Sequence, residues 1–404
     1  MAPAIVVVVD VEREQPVVVT LVCDRLEIGG AEQMLLNILR HLDPQRFRCR
    51  VICFKRPGPL GAEFEAAGIP LEVLGRGGRH DLRTLPRLVS RLRRTGTDVV
   101  LVHHMHPAPL TLGRLAARML GRASVVVPHG MDMLRHTGKR VLPRHDVETL
   151  ALSSAIVWLA ASQREYFHRE EHVGRHRGSR TREVVIPNGI PVRPRPTAAD
   201  RAAARRTLGL ADDVVAVGIV ARLAAVKAHE VLLGAVAELV PTHPQLRLVC
   251  IGGGEREDEL RALARSTGID GHVQFTGLRR DVPDLLPGLD IAALSSRYEC
   301  APLGVIEGMA AGLPVVSADV GAVRDMVADG VEGYVVPPGD VGAFADRIGR
   351  LVDDPALRTR LGAQARDRAE REFRIEDTAA AFERLFTSLA RGEHDSPRES
   401  EVSR

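Results

Sequence analysis

The chain has 404 residues, 45% of them apolar, which is enough for two α/β domains. Aromatics are only 3%, so the cores must be Val, Leu, Ile and Ala, and a base-stacking nucleic-acid surface is disfavoured. Net charge is +3, but residues 1–190 hold 28 basic against 19 acidic side chains and the remainder 27 against 33, so the first half is the one suited to an acidic acceptor or an anionic membrane surface.

In chain order, residues 1–16 are expected to be a poorly ordered extension despite their valine run. A strand at 17–23 leads through Gly29-Gly30 into a helix at 31–42. That helix puts Met34, Leu35, Ile38, Leu39 and Leu42 on one face. Further strands are expected at 50–54, 71–74, 98–103, 124–128, 156–160 and 183–186, with helices at 61–67, 82–94, 110–120 and 147–153. A Pro/Arg-rich stretch then opens a linker, 191–211. The second cycle has strands at 214–220, 246–251, 273–277, 291–294 and 314–317, and helices at 230–239, 255–266, 282–286 and 303–311. A C-terminal helix at 375–390 can cross back to the first domain, and 391–404 is expected to be a disordered tail. Alternating strands and helices imply an α/β fold, with Rossmann-like, doubly wound parallel sheets at 17–190 and 212–374 facing a central cleft.

Five cysteines form no CxxC pair and no metal spacing, which suits free thiols in a reducing compartment. No basic leader precedes the early valines, and no run reaches the ~18–20 apolar residues of a spanning helix. The expectation is a cytoplasmic protein whose basic first domain either carries ordinary solvent-facing charge or makes peripheral contact with a membrane.

The most informative stretch runs from Ser295 to Val316. It passes from a strand end through a loop into a helix and at once into another strand. Glu299 lies in the loop and Glu307 about one turn inside the helix. Backbone amides around Leu303 and Gly304 form an anion site at the helix start. A nucleotide sugar needs this set: a carboxylate for sugar hydroxyls, one for ribose, and amides for the diphosphate. On spacing alone, two ordinary surface glutamates would also fit. In 218–227, Arg222 and Lys227 follow a strand, and Lys227 is one of only three lysines, with Lys55 and Lys139. Two fixed cations can stabilise a departing diphosphate without a metal.

Gly29 and Gly30 let backbone approach a ligand, although a plain turn also fits. No G-x-G-x-x-G follows the first strand, which argues against a nicotinamide dehydrogenase. The Gly252-Gly253-Gly254 turn is expected to support the diphosphate side. His129 stands just beyond a strand end. His103-His104-Met105-His106 lacks partners for a metal site, and His103 or His106 could instead meet the acceptor. Pro187-Asn188-Gly189 is expected to be a tight turn with positive φ. Along 83–94, arginines recur opposite a leucine stripe; the basic face can meet anionic lipid or plain solvent.

These motifs resemble the retaining family 4 glycosyltransferases of the two-domain GT-B type: E-x7-E followed by G-x-P-V-V, and a G-R-L-x-x-x-K-G segment. Here Ala221 and Ala228 stand where glycine is usual. The resemblance covers most of 17–390. It implies Glu299 near the donor sugar, Glu307 on the ribose, amides around Cys300, Ala301, Leu303 and Gly304 on phosphate and sugar, and Gly253 on the diphosphate side. Arg222 and Lys227 would converge on the diphosphate, Gly29 and Gly30 would lie over the cleft, and His129 would sit beside the anomeric carbon. The implied activity is metal-independent transfer from a nucleotide diphosphate sugar, UDP-linked by preference, to an acceptor hydroxyl, with no cofactor and no metal. The alternatives are a nucleotide-sugar epimerase of the same fold and a non-catalytic nucleotide-sugar-binding protein.

Overall fold

A computed structural model of the chain describes residues 15–78, 80–103, 106–131, 153–170, 173 and 181–393. The valine run at 4–9, nearly all of the helix expected at 147–153, the tail beyond 393, and His104, Met105, Asp132 and Lys139 lie outside the described residues.

Two parallel sheets organise the rest. The first contains β1 (Val17–Cys23), β2 (Phe47–Cys53), β3 (Leu71–Val73), β4 (Val99–His103), β5 (Ala123–Val127), β6 (Ala155–Trp158) and β7 (Arg182–Val185), in the order β3-β2-β1-β4-β5-β6-β7. The second contains β8 (Val215–Val220), β9 (Leu246–Ile251), β10 (Val273–Phe275), β11 (Ile291–Leu294), β12 (Val315–Ala318) and β13 (Gly333–Val336), in the order β10-β9-β8-β11-β12-β13. Neighbouring strands are parallel throughout. Strand order reverses between β1 and β4 and again between β8 and β11, the switch points where α/β sheets bind ligands.

Strands such as β4 are buried along their whole length, which explains their near-continuous valine. Trp158 is fully buried against Phe167, ring centroids 4.9 Å apart. Burying one such side chain contributes ~2–3 kcal/mol.

Several elements depart from the sequence-based expectations, among them β13 (Gly333–Val336), where no strand was expected. Residues 198–208 of the expected linker form helix Ala198–Leu208, held by a capping box between Thr197 and Asp200. Its Arg205 reaches the Gly288 carbonyl and Asp290 of the second domain. Helix Ala161–Glu170 was not anticipated, because its polar composition gives no clear apolar stripe. Helix Pro107–Met119 begins earlier than 110, since proline is tolerated at the first helical position.

Helix Ile375–Ala390 follows the second sheet but packs on the first. Its Phe382 and Phe386 join the core that holds Met34, Leu35 and Ile38, and Glu383 accepts from the Asp43 amide at 2.7 Å. The Pro187-Asn188-Gly189 turn faces this crossing. The expected positive φ is wrong: Gly189 is not among the left-handed residues. Glycine is needed there for space, since a Cβ would lie 2.4 Å from Thr378 Oγ1 and 2.7 Å from the Arg374 carbonyl.

Candidate active site

The loops that follow β8 and β11 bring the expected donor residues together. Arg222 and Lys227 lie just past β8. Three glycines after β9 hold this loop: a Cβ on Gly252 would strike the Ala221 carbonyl at 2.1 Å, and one on Gly254 the Leu223 carbonyl at 2.4 Å. The Gly253 carbonyl accepts from the Leu223 amide at 3.0 Å. Gly253 therefore shapes the Arg222 segment through its backbone.

The loop turns at Ala228, the only non-glycine residue with positive φ among the described residues (φ 47°, ψ 45°). Glycine at this point of the family motif has a physical reason, because the left-handed region costs an L-residue roughly 1–2 kcal/mol. Ala228 tolerates the geometry while its methyl group is fully buried.

Lys227 Nζ meets Glu299 Oε1 at 2.5 Å. Ser296 Oγ donates to the same carboxylate oxygen at 2.6 Å, and Ser295 Oγ donates to the Lys227 carbonyl at 2.9 Å. Glu299 Oε2 has no hydrogen-bond partner among the described residues. The Arg222 side chain is exposed and has no hydrogen-bond or ion-pair partner among the described residues. Glu230 ties the neighbouring loops, accepting from Arg256 at 2.8 Å and Arg297 at 2.9 Å.

Helix Leu303–Ala310 starts directly after this loop. Gly304 lets it approach β8, since a Cβ would lie 2.8 Å from the Val220 carbonyl. Its initial Leu303 and Gly304 amides have no acceptor among the described residues, leaving donors for an anion. Glu307, one turn on, keeps a solvent-reachable edge, but its carboxylate has no hydrogen-bond or ion-pair partner among the described residues. Burial pushes its carboxyl up to about 7.

The first domain supplies the opposite wall. Gly30 opens helix Gly30–His41, and a Cβ there would lie 3.8 Å from Leu303 Cδ1. Two helix starts thus face the same gap. A Cβ on Gly130 would come within 3.0 Å of Tyr298 Oη, and Cys300 Sγ makes a long contact of 4.0 Å to the Pro128 carbonyl. The His129 loop therefore reaches the Glu299 loop. Cys300 is buried, and with Ala301 and Leu303 it packs on the core of the first domain. Asn188 crosses the seam as well, donating from Nδ2 to the Ala301 carbonyl at 2.8 Å. A turn motif alone does not predict that tie.

His103, His106 and His129 form a stack of imidazoles, with centroids 5.8 Å and 6.2 Å from His103 to its two neighbours. The rings lie side by side, and among the described residues no group of three or more His, Cys, Asp or Glu is disposed to hold a metal ion. Burial, then the charges of His129 and His106, push His103 down to about 3, so it is neutral at physiological pH. Glu32, in the first turn of helix Gly30–His41, is not among the site residues expected from sequence. It is buried, with Oε1 3.6 Å from His103 Nε2. Burial raises its pKa, Glu27 adds to this, and the positive charge of Arg222 opposes it. Its signal in the sequence was a carboxylate in the first turn after Gly29-Gly30.

Comparison with known proteins bears on the family and the fold. The family described as Glycosyltransferase Family 4 matches residues 28–194, and glycosyl transferases group 1 matches residues 200–368. EpsD of Bacillus subtilis, a glycosyltransferase candidate, is 32% identical over 279 residues, which is 67% of this chain and 72% of EpsD. The chain belongs to glycosyltransferase family 4. Within the family, the D-inositol 3-phosphate glycosyltransferase of Stackebrandtia nassauensis is 33% identical over 268 residues, 64% of this chain. That match spans 59% of the relative's own length. Anabaena HepE, solved in complex with UDP, shares the fold with a TM-score of 0.78 and 23% identity, covering 92% of this chain and 99% of HepE. The two-sheet architecture is therefore GT-B. No described helix is long and apolar enough to cross a membrane.

Proposed function

We propose that this chain transfers a sugar from a nucleotide diphosphate donor to an acceptor hydroxyl, with retention of configuration and without a metal. The observation that carries this is the meeting of Lys227 and Glu299 at 2.5 Å, beside exposed Arg222 and two opposed helix starts. A pyrophosphate placed there meets two cations and free backbone amides. Their charge opposes the negative charge that grows on the leaving phosphate. Glu299 takes donor-sugar hydroxyls through Oε2, and Glu307 takes the ribose. The His129 loop flanks the reacting carbon, with His103 and His106 toward the acceptor.

HepE is solved with UDP bound, which supports a uridine diphosphate sugar as the donor. The acceptor proton passes to the leaving phosphate oxygen on the face from which the diphosphate departs. Closure of the cleft excludes water from the donor.

The first domain meets an anionic membrane surface in this reading, with the enzyme cytoplasmic. Leu82 is 88% exposed beside exposed Arg83, Arg87, Arg93 and Arg94 on and just before helix Thr84–Arg94. Apolar insertion and basic charge together are what interfacial binding requires.

Incubation with UDP-, GDP- and dTDP-sugars, with donor and product masses recorded, tests the activity. Nucleotide release with a glycosylated acceptor supports transfer. A donor changed in sugar configuration would make the chain an epimerase, and tight binding without turnover would make it a binding protein.

A further inference from the structure

We propose that Gln163 is a positioning residue for the His129 loop, and that Asp325 of the opposite domain completes its action by capping the helix that carries it. Gln163 is fully buried at the third position of helix Ala161–Glu170. Its Nε2 donates to the Pro128 carbonyl at 2.8 Å and the Gly130 carbonyl at 3.1 Å, the two carbonyls that flank His129. Its Oε1 accepts from the Leu159 amide at 2.7 Å. Both amide hydrogens and the amide oxygen are thus engaged. A flipped side chain would turn its oxygen against two carbonyls, so the orientation is determined. Only a primary amide in this place can grip both sides of a loop that advances toward the donor.

The helix start is closed from the other domain. Asp325 Oδ2 accepts from the Ser162 amide at 3.1 Å and from Ser162 Oγ at 2.6 Å. An acidic group on unpaired amides at a helix start is favourable. Asp325 stands in the turn Val323–Met326, just after Ala322, whose amide donates to the Cys300 carbonyl at 2.7 Å. The donor loop, Asp325, the helix start, Gln163 and the His129 loop therefore form one continuous set of contacts across the seam. The His129 loop is gripped fully only when the two domains are together.

The kinetic arm rests on the transferase reading; the exchange arm does not. Gln163→Glu keeps size and the contact to the Leu159 amide but loses the double donor. With UDP-glucose as the probe donor, kcat should fall about tenfold or more while KM stays within about twofold. Part of the loss should return on acidification, as the new carboxyl regains a proton to donate. Amide hydrogen exchange at 129–131 should quicken about tenfold in this variant. Asp325→Ala changes an exposed side chain and should quicken exchange in the same loop and at the helix start. Unchanged exchange at 129–131 in Asp325→Ala, or in a folded Gln163→Glu, overturns the proposal. A KM that rises in step with the fall in kcat overturns it too. If wild-type protein consumes no donor sugar, the transferase reading fails and exchange alone decides the role of Gln163.

Discussion

Lys227 Nζ lies 2.5 Å from Glu299 Oε1, although 72 positions separate the residues. Both side chains are mostly enclosed, with 23% and 11% of their surfaces exposed. A charge-assisted contact in such surroundings is stronger than one on an open surface. In the proposed mechanism, the donor arrives between a cation already oriented and a carboxylate with one oxygen still open. Lys227→Ala and Glu299→Ala should each lower kcat by about 10²-fold or more, and should also cost roughly 1–3 kcal/mol of stability, because each leaves a mostly enclosed charge without its partner. Near-normal turnover in either purified variant would remove the site assignment.

Arg222 makes no ion pair among the described residues, so its removal leaves no protein carboxylate without a hydrogen-bonded partner. Arg222→Ala should leave folding stability within about 0.5 kcal/mol of wild type. Donor turnover should nevertheless drop about tenfold or more. A chemical-denaturation curve and a turnover assay on the same preparation check the two halves. A large stability loss would mean that Arg222 serves the fold.

Glu307 gives a pH signature. Its folded pKa, about 7, lies above the ordinary carboxyl value of 4.5. The folded state therefore holds a proton that the unfolded state has released between those values, and stability falls as pH rises through that window. Glu307→Gln should gain on wild type by up to roughly 3 kcal/mol as pH rises from 4.5 to 7. In the proposed role the ribose diol donates to the carboxylate, so UDP-glucose should bind several-fold more tightly at pH 8 than at pH 6 in wild type alone. Calorimetry showing equal affinity at both pH values would end the ribose assignment.

Ala228 is a test of backbone strain. Glycine there relieves the left-handed geometry but loses a buried methyl and gains unfolded-state freedom. Ala228→Gly should therefore stay within about 1 kcal/mol of wild type. Ala228→Val meets both a positive φ and a closed core and should cost about 2–4 kcal/mol. Equal melting temperatures for the two variants would show that the turn is not held as described.

For the membrane contact, flotation with vesicles of mixed neutral and anionic lipid should retain the protein at low salt and release it as ionic strength rises. Replacing Arg83, Arg87, Arg93 and Arg94 together by alanine should abolish retention. Equal flotation with purely neutral vesicles would refute the electrostatic part.

Much of the fold was legible from short-range pattern. Valine-rich runs bounded by glycine turns placed most strands, because buried parallel strands need apolar residues on both faces. The motif around Glu299 and Glu307 pointed to a phosphate-and-sugar site through its resemblance to the family's E-x7-E pattern, since on spacing alone two ordinary surface glutamates would also fit. Helix Ala161–Glu170 was missed, and with it Gln163, because a glutamine on a polar helix has no pattern to distinguish it. What the sequence by itself determined was the set of local elements and the chemical types available at each strand end. Only the tertiary structure decided which strand ends meet: that Gly30 opposes Leu303, that Asn188 ties to Ala301, and that Asp325 caps a helix of the other domain. Such pairings depend on distances across a cleft, which local propensity does not encode.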